Sequence, residues 1–260
     1  MQPVNSWEWF IERFKAMSRI DLAMYKRPQM ERRIGNFMRV AKVDDYKTFL
    51  DSLARDKALY KQFVEHLTIN VSEFFRNFSQ WQELENKIIP YLYEKKISLK
   101  VWSAGCSTGE EPYSLAILFK EKFGGKVDPI MATDLDQDVM EKAAIGRYSA
   151  KALTDAPSAY VKKYFRQDGD SLCLSDEIKR MVRFKKHDLL QDPFLKGYDL
   201  ILCRNVVIYF TEETKQILYR NFSTALNPGG ILFIGNTEQI IRPQILGLQP
   251  RMTFFYEKNS

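Results

Sequence analysis

The sequence predicts an α/β chain: a doubly wound, mostly parallel sheet, preceded by an all-helical domain and carrying a small antiparallel β insertion. Three observations predict it. From Ser98 onward, short apolar runs alternate with helical segments, the pattern of strands joined by crossover helices. Before that point apolar residues recur at helical spacing and β-branched runs are few. Between Tyr148 and Phe184 the alternation breaks, and short runs flank a glycine turn, which suits a small antiparallel sheet.

The helical part is drawn over residues 1–90. Met30, Ile34, Phe37, Met38 and Ala41 fall at helical spacing and leave Arg32 and Arg39 on a different face. Phe49, Leu53, Leu59, Phe63 and Leu67 continue in the same style. Trp81, Leu84, Ile88 and Ile89 form a short linking helix ending at Pro90. From Lys26 to Lys42 six basic residues (Lys26, Arg27, Arg32, Arg33, Arg39, Lys42) stand against one acid, Glu31. Such a face is either plain solvated surface or a docking face for an acidic partner, protein or nucleic acid. The segment Asn70 to Asn77 sets an aromatic pair among polar Asn70, Ser72 and Arg76; alone, such a pair is ordinary core.

The α/β domain is drawn over residues 91–260. Its strands are Leu99 to Ser103, Ile130 to Thr133, Val182 to Lys185, Leu200 to Cys203, Ile231 to Gly235 and Thr253 to Tyr256. Helices are expected at Pro112 to Phe123, Asp136 to Ala144 and Glu212 to Leu226, the last stopped by Asn227-Pro-Gly-Gly. The insertion, around residues 150–184, comprises Tyr160 to Phe165, a turn at Asp168-Gly-Asp, Ser171 to Leu174 and Met181 to Phe184.

The loop after the first strand is the most informative stretch. A phosphate-binding loop needs Lys and Ser or Thr after its last glycine, but here Glu110 and Glu111 follow Gly109. Two carboxylates repel a triphosphate and suit a ligand with positive charge and sugar hydroxyls. Gly105 and Gly109 alone do not complete a dinucleotide pattern. Asp134 ends the second strand, 25 residues after Gly109, where an acid can accept ribose hydroxyls; the alternative is a helix cap. Asp136 is better read as the cap. Asp188, after the third strand, can accept from an adenine amino group or simply cap. Arg204 and Asn205 follow a buried run, where strand ends line a ligand crevice. Tyr209 either faces that crevice or is core among Val206, Val207, Ile208 and Phe210.

The totals exclude much. The 260 residues are 45% apolar and 28% charged, with a modest net charge of +6, ordinary for a folded soluble chain. No apolar run nears the roughly 20 residues of a membrane span, and the N-terminus, with acids mixed in, does not read as a secretory signal. Three scattered cysteines and two histidines point to a reducing cytoplasm and to no metal site. No Ser-His-Asp or Cys-His arrangement is evident.

Read in order, NVSEFFRN (Asn70 to Asn77), VWSAGCSTGEEPYS (Val101 to Ser114), ATDLD (Ala132 to Asp136), CRNVVIYF (Cys203 to Phe210) and NPGGILFIGNTE (Asn227 to Glu238) carry a resemblance. The chain resembles the bacterial chemotaxis receptor methyltransferases, the CheR family, over nearly its whole length. The resemblance implies a class I, Rossmann-like methyltransferase fold. It implies S-adenosylmethionine-dependent methylation of glutamate side chains on the cytoplasmic helices of chemoreceptors, giving methyl esters and S-adenosylhomocysteine. By the same resemblance, Asn70, Ser72 and Arg76 reach the cofactor, with Ser72 where threonine is common. Gly105 belongs to the cofactor loop, and Glu111, favoured over Glu110, faces the methionine portion. Asp134 takes the ribose, and Asp188 and Leu189 stand at the adenine side, where Asn-Leu is often seen. Arg204 and Asn205 match the pair after the fourth strand, and Arg76 and Tyr209 lie by the transferable methyl group. The insertion matches a β-subdomain that docks a receptor C-terminal peptide in some members; its loop, Arg166 to Leu172, is short, which implies a peptide-independent type. The basic helix, with Arg27, Arg32, Arg33 and Arg39, corresponds to the face that reads the acidic receptor bundle. A cytoplasmic enzyme without metal, nucleic-acid partner or membrane insertion is implied.

The chemistry is consistent with those residues. A sulfonium is cationic and carries no phosphate. The substrate glutamate, with a pKa of about 4.3, is already ionised at neutral pH, so no general base is required. What remains is placing a weak nucleophile in line, about 3–3.5 Å from the methyl carbon. Arg76 is expected to orient the carboxylate and Tyr209 to shape the transfer site. A nicotinamide oxidoreductase fails on the incomplete glycine pattern. A non-catalytic S-adenosylmethionine-sensing or receptor-binding module would keep the fold and lose the chemistry.

Overall fold

In the computed structural model, which describes residues 3–68 and 72–259, the chain resolves into two units. One comprises Met1–Ile69 with Tyr209–Gln216, the other Asn70–Ile208 with Ile217–Ser260. The boundary thus falls before the linking helix, which clusters with the α/β part, whereas the sequence places it near residue 90.

Short polar side chains start the helices of the first unit. Ser6 caps α1 (Trp7–Ser18), Asp45 caps α3 (Tyr46–Arg55) and Asp56 caps α4 (Lys57–Leu67), each accepting a backbone N–H of the first turn. Between them α2 (Arg27–Val40) begins with Pro28 in its first turn, where a missing N–H costs nothing. Phe10, Phe14, Phe49 and Phe63 are fully buried and meet ring to ring, Phe49 and Phe63 edge-on at 4.9 Å. Met30, Ile34 and Met38 bury the inner stripe of α2, with Phe37 half-buried beside them and Ala41 just beyond the helix end.

The second unit opens with α5 (Phe78–Glu83), a π-helical turn at Leu84–Ile88 and α6 (Ile89–Tyr93). Pro90 does not end this stretch; it occupies the first turn of α6, where proline is tolerated. There follow β1 (Val101–Ala104), α7 (Glu110–Phe123), β2 (Ile130–Asp134) and α8 (Gln137–Ile145). The insertion holds β3 (Arg147–Tyr148), α9 (Ser158–Tyr164), β4 (Phe165–Asp168) and β5 (Ser171–Leu174), and α10 (Asp176–Lys179) leads out of it. The chain ends through β6 (Val182–Lys186), β7 (Tyr198–Cys203), α11 (Glu212–Ala225), β8 (Leu226–Ile234), β9 (Leu248–Met252) and β10 (Phe255–Lys258).

The main sheet has seven strands in the order β6-β2-β1-β7-β8-β10-β9. The first five are parallel, and β10 and β9 add antiparallel. This is the class I methyltransferase arrangement. β1 and β7 are buried at every position, polar Ser103 and Asp199 included, because both faces of the central strands are covered. The separate sheet β3-β5-β4 is antiparallel.

Three details differ from the sequence expectation. Val182–Lys186 pairs with β2 in the main sheet, so the inserted sheet spans Arg147 to Leu174 and not residues up to 184. Asn227-Pro-Gly-Gly follows the helix end but is itself the start of β8, with an irregular register against β7. β9 was not foreseen. It is an edge strand containing Pro250, a residue that edges accept because no inner partner needs its N–H.

Candidate active site

β1 sits at the centre of the parallel strands, with β2 on one side and β7 on the other. Chains leaving adjacent parallel strands in opposite directions open a crevice at their carboxyl ends. Four such ends carry predicted site residues: Gly105 and Glu111 after β1, Asp134 closing β2, Asp188 and Leu189 after β6, Arg204 and Asn205 after β7. Gly105 and Gly109 adopt left-handed conformations, with φ of +79° and +92°. Both are also close-packed: a Cβ on Gly105 would lie 2.5 Å from Val206 Cγ2, and one on Gly109 2.8 Å from Ala143 Cβ. Glycine is required at each on both counts.

Three acids converge on this loop. Glu110 accepts from Thr108 Oγ1 at 2.7 and 2.9 Å and from the Ser72 hydroxyl, so it does more than begin α7. Glu111 accepts from Ser103 Oγ at 2.8 Å and faces Arg204 Nη1 at 3.4 Å. Asp134 accepts the backbone N–H groups of Ser107 at 2.8 Å and Asp136 at 3.0 Å. Asp136 is the cap of α8, accepting from Asp138 N–H. Burial pushes all three carboxyls up from their ordinary values. Arg204 and Arg76 offset this at Glu111, whereas at Glu110 and Asp134 the offset comes from hydrogen bonds. Negative charge is therefore held under strain of desolvation, a setting that favours a cationic ligand.

Arg204 ties the parts together. Its side chain is 3% exposed against 14% for Glu111. Besides Glu111, its Nη2 donates to the Arg76 carbonyl at 2.9 Å and to Gln80 Oε1 at 2.8 Å. Its guanidinium lies 4.6 Å from the Phe233 ring centre. The Arg76 carbonyl also accepts from Trp81 Nε1 at 3.0 Å. The Arg76 backbone is thus fixed twice, and its half-buried side chain acts electrostatically on Glu111.

The remaining positions are less uniform. Asp188 accepts the Leu190 N–H at 2.8 Å within a turn that no helix follows, and Leu189 is buried. Asn205 has φ +60°. Asn70 lies outside the described residues. Tyr209 belongs to the helical unit, where its carbonyl accepts from Lys26 N–H and neighbouring Phe210 meets Tyr25 edge-on at 4.8 Å. Arg33 does not share the solvent face of α2: its guanidinium donates to the His66 carbonyl. Arg27 pairs with Glu8 and Glu31 while remaining exposed, as Arg32 and Arg39 are, so three of the four cations face solvent. Among the described residues no cluster of three His, Cys, Asp or Glu is arranged to hold a metal, and no helix is long and apolar enough to cross a membrane.

Sequence reasoning missed Gln80, Ser103, Thr108, Tyr148 and Glu238. Tyr148, on β3, donates to the Thr108 carbonyl at 2.8 Å, and Phe74 meets Tyr148 and Phe165 edge-on at 4.8 and 5.1 Å. The insertion is thereby clamped to the loop after β1 and to the segment bearing Ser72 and Arg76. No local signal in the sequence announces the Tyr148 and Phe74 contacts; each joins residues 40 or more apart in the chain.

Comparison with known proteins bears on this geometry. Residues 70–249 match the family model described as CheR methyltransferase, SAM binding domain, and residues 5–68 the one described as CheR methyltransferase, all-alpha domain. The chain is 43% identical over 240 residues to a chemotaxis protein methyltransferase of Listeria innocua, covering 92% of each. It is 42% identical over 240 residues to one of Listeria monocytogenes, again covering 92% of each. Against one from Borreliella burgdorferi the identity is 33% over 236 residues, covering 85% of this chain and 83% of that one.

Proposed function

The chain belongs to the CheR methyltransferase family, a family of S-adenosylmethionine-dependent chemotaxis methyltransferases, and we propose that it methylates glutamate side chains on the cytoplasmic helices of chemoreceptors. The observation that carries this reading is the set of buried carboxylates, Glu110, Glu111 and Asp134, at the carboxyl ends of β1 and β2. That donor set fits a cationic nucleoside without phosphates: Asp134 stands where ribose hydroxyls would be accepted, and Glu111 with Arg204 where an amino acid portion would be held. When bound, the cofactor supplies an electrophilic methyl group on sulfonium sulfur. The glutamate carboxylate needs no deprotonation, so the residues supply placement and exclude water. One C–O bond forms as one C–S bond breaks, the bonding pair staying on sulfur, and no proton is transferred. Arg76 orients the incoming carboxylate, and Tyr209 shapes the transfer site. On α2, Arg32 and Arg39 present charge to an acidic receptor bundle in the cytoplasm, with no dependence on a receptor C-terminal peptide.

The test is transfer of labelled methyl from S-adenosylmethionine to a receptor cytoplasmic fragment, with base releasing volatile methanol. Label that base does not release would rule out a carboxyl ester. Binding without transfer would mark a non-catalytic sensor. In the same assay the rate should fall with rising salt if α2 steers the receptor; a salt-independent rate would reject that role for Arg32 and Arg39.

The raised carboxyls also predict a pH dependence. An acid raised in the folded chain binds its proton more tightly there than when unfolded, so these groups favour the apo fold more as pH falls through that range. A sulfonium ligand prefers the ionised acids. Affinity for S-adenosylmethionine should therefore weaken from about pH 7 toward about pH 5. Calorimetry across that range checks it, and affinity that is flat or rises on acidification would contradict the electrostatic reading.

A further inference from the structure

The closing motif Gly235-Asn-Thr-Glu238 ends in an acid to which nothing above assigns a role. Glu238 is 7% exposed. The Gly235 N–H donates to its Oε2 at 2.6 Å and the Val207 N–H to its Oε1 at 3.2 Å. The N–H groups of Asn205 and Val206 also bond to it, and together these four oppose the upward push of burial on the carboxyl. A carboxylate offers about four acceptor sites and no donor, so this set uses it in full.

The turn it gathers is the one bearing Asn205, whose φ of +60° lies in the left-handed region that asparagine adopts more readily than most side chains. The turn is also packed from two directions. Val206 presses on Gly105, where a Cβ would come within 2.5 Å of it. Gly235 admits no Cβ at all, since one would lie 2.8 Å from Asn205 N and 2.9 Å from Glu238 Oε2. A buried charge is a costly way to fill space, and an apolar side chain would do that better. What an apolar side chain cannot do is collect several divergent N–H groups at one point.

We propose that Glu238 is a positioning residue: its carboxylate gathers the N–H groups of the 205–207 turn and so fixes Asn205, with Arg204 before it, against the cofactor loop. The role given to Asn205 rests on the S-adenosylmethionine reading; the anchoring of the turn does not. The charge matters more than the shape. In Glu238→Gln the side chain keeps its volume, but its amide nitrogen turns donors toward an N–H.

The test uses the full chain with Glu238→Gln, Glu238→Asp, Asn205→Ala and the Glu238→Gln/Asn205→Ala double variant. Glu238→Gln should raise the KM for S-adenosylmethionine and the Kd for S-adenosylhomocysteine by about tenfold, with a smaller effect on kcat. In the Asn205→Ala background the same change should add little, because its effect passes through Asn205. Amide exchange should quicken at Asn205, Val206 and Val207 in Glu238→Gln, and Glu238→Asp should recover part of each loss. Wild-type affinity in Glu238→Gln, fully additive losses, or unchanged exchange at the turn would each overturn the proposal. Should the wild type not bind S-adenosylhomocysteine, the cofactor reading fails and the exchange measurement alone decides the anchor. If Glu238→Gln does not fold, Glu238→Asp is judged by the same turn exchange, with unchanged protection counting against the anchor.

Discussion

Arg204→Ala should lose about 3–5 kcal/mol of stability, the usual cost of stripping one partner from a buried ion pair, together with all measurable methyl transfer. The loss has identifiable parts. Glu111, already pushed up by burial, is left with Arg76 as the cation acting on it. Gln80 Oε1 loses the donor 2.8 Å away, and the Arg76 carbonyl loses one donor while keeping the bond from Trp81 Nε1. The stack on Phe233 goes as well. Arg204→Lys should not rescue it, because an ammonium cannot serve Glu111, Gln80 and a backbone carbonyl from one planar fork. Urea denaturation of Arg204→Ala, Glu111→Gln and the double variant separates charge from shape. If the uncompensated carboxylate dominates, Glu111→Gln should restore part of the stability in the Arg204→Ala background without restoring activity. Additive losses would mean that the pair contributes no coupling.

That network also shows which features the sequence exposed and which it concealed. β7 was readable because Leu200–Cys203 is an uninterrupted apolar run, and burial on both faces favours one. Asp136 was readable as a cap because an acid just before an apolar-periodic segment has a local job, which the structure assigns to it. Gln80 was not, since its partner lies 124 residues away, and Glu238 was not, since besides the nearby Gly235 N–H it serves the turn at Val207, 31 residues away. The same holds for Arg33. On a helical wheel it stands about 100° from Arg32, at the edge of the stripe of Ile34 and Phe37, and the carbonyl at the end of α4 accepts from its guanidinium. Periodicity assigns a face; it does not say which long side chains reach across it. Val182 illustrates a related ambiguity, because a short apolar strand reads alike in an insertion and at a sheet edge until its partner, here β2, is known.

Arg76 offers the cleanest separation of chemistry from binding. Its backbone carbonyl is held by Arg204 and Trp81, and neither bond involves the side chain. Arg76→Ala therefore keeps both of these bonds while removing one positive charge near Glu111. If that charge orients the substrate carboxylate, kcat should fall on the order of 100-fold, the scale of a misplaced reacting group, while affinity for S-adenosylhomocysteine changes only a few-fold. Arg76→Lys should recover part of the rate, since it keeps the charge and loses the fork. The comparison is steady-state transfer against calorimetric binding on the same preparations. Equal losses in both would place Arg76 among the residues that hold the cofactor and deny it the substrate. A thermal midpoint that drops as far as that of Arg204→Ala would show instead that the side chain supports the fold. The contrast between the two arginines follows from how each is held. Arg204 is enclosed and bonded to protein on several sides, so its removal is felt as stability. Arg76 is fixed by its backbone with its side chain half-buried, so its removal should be felt as rate.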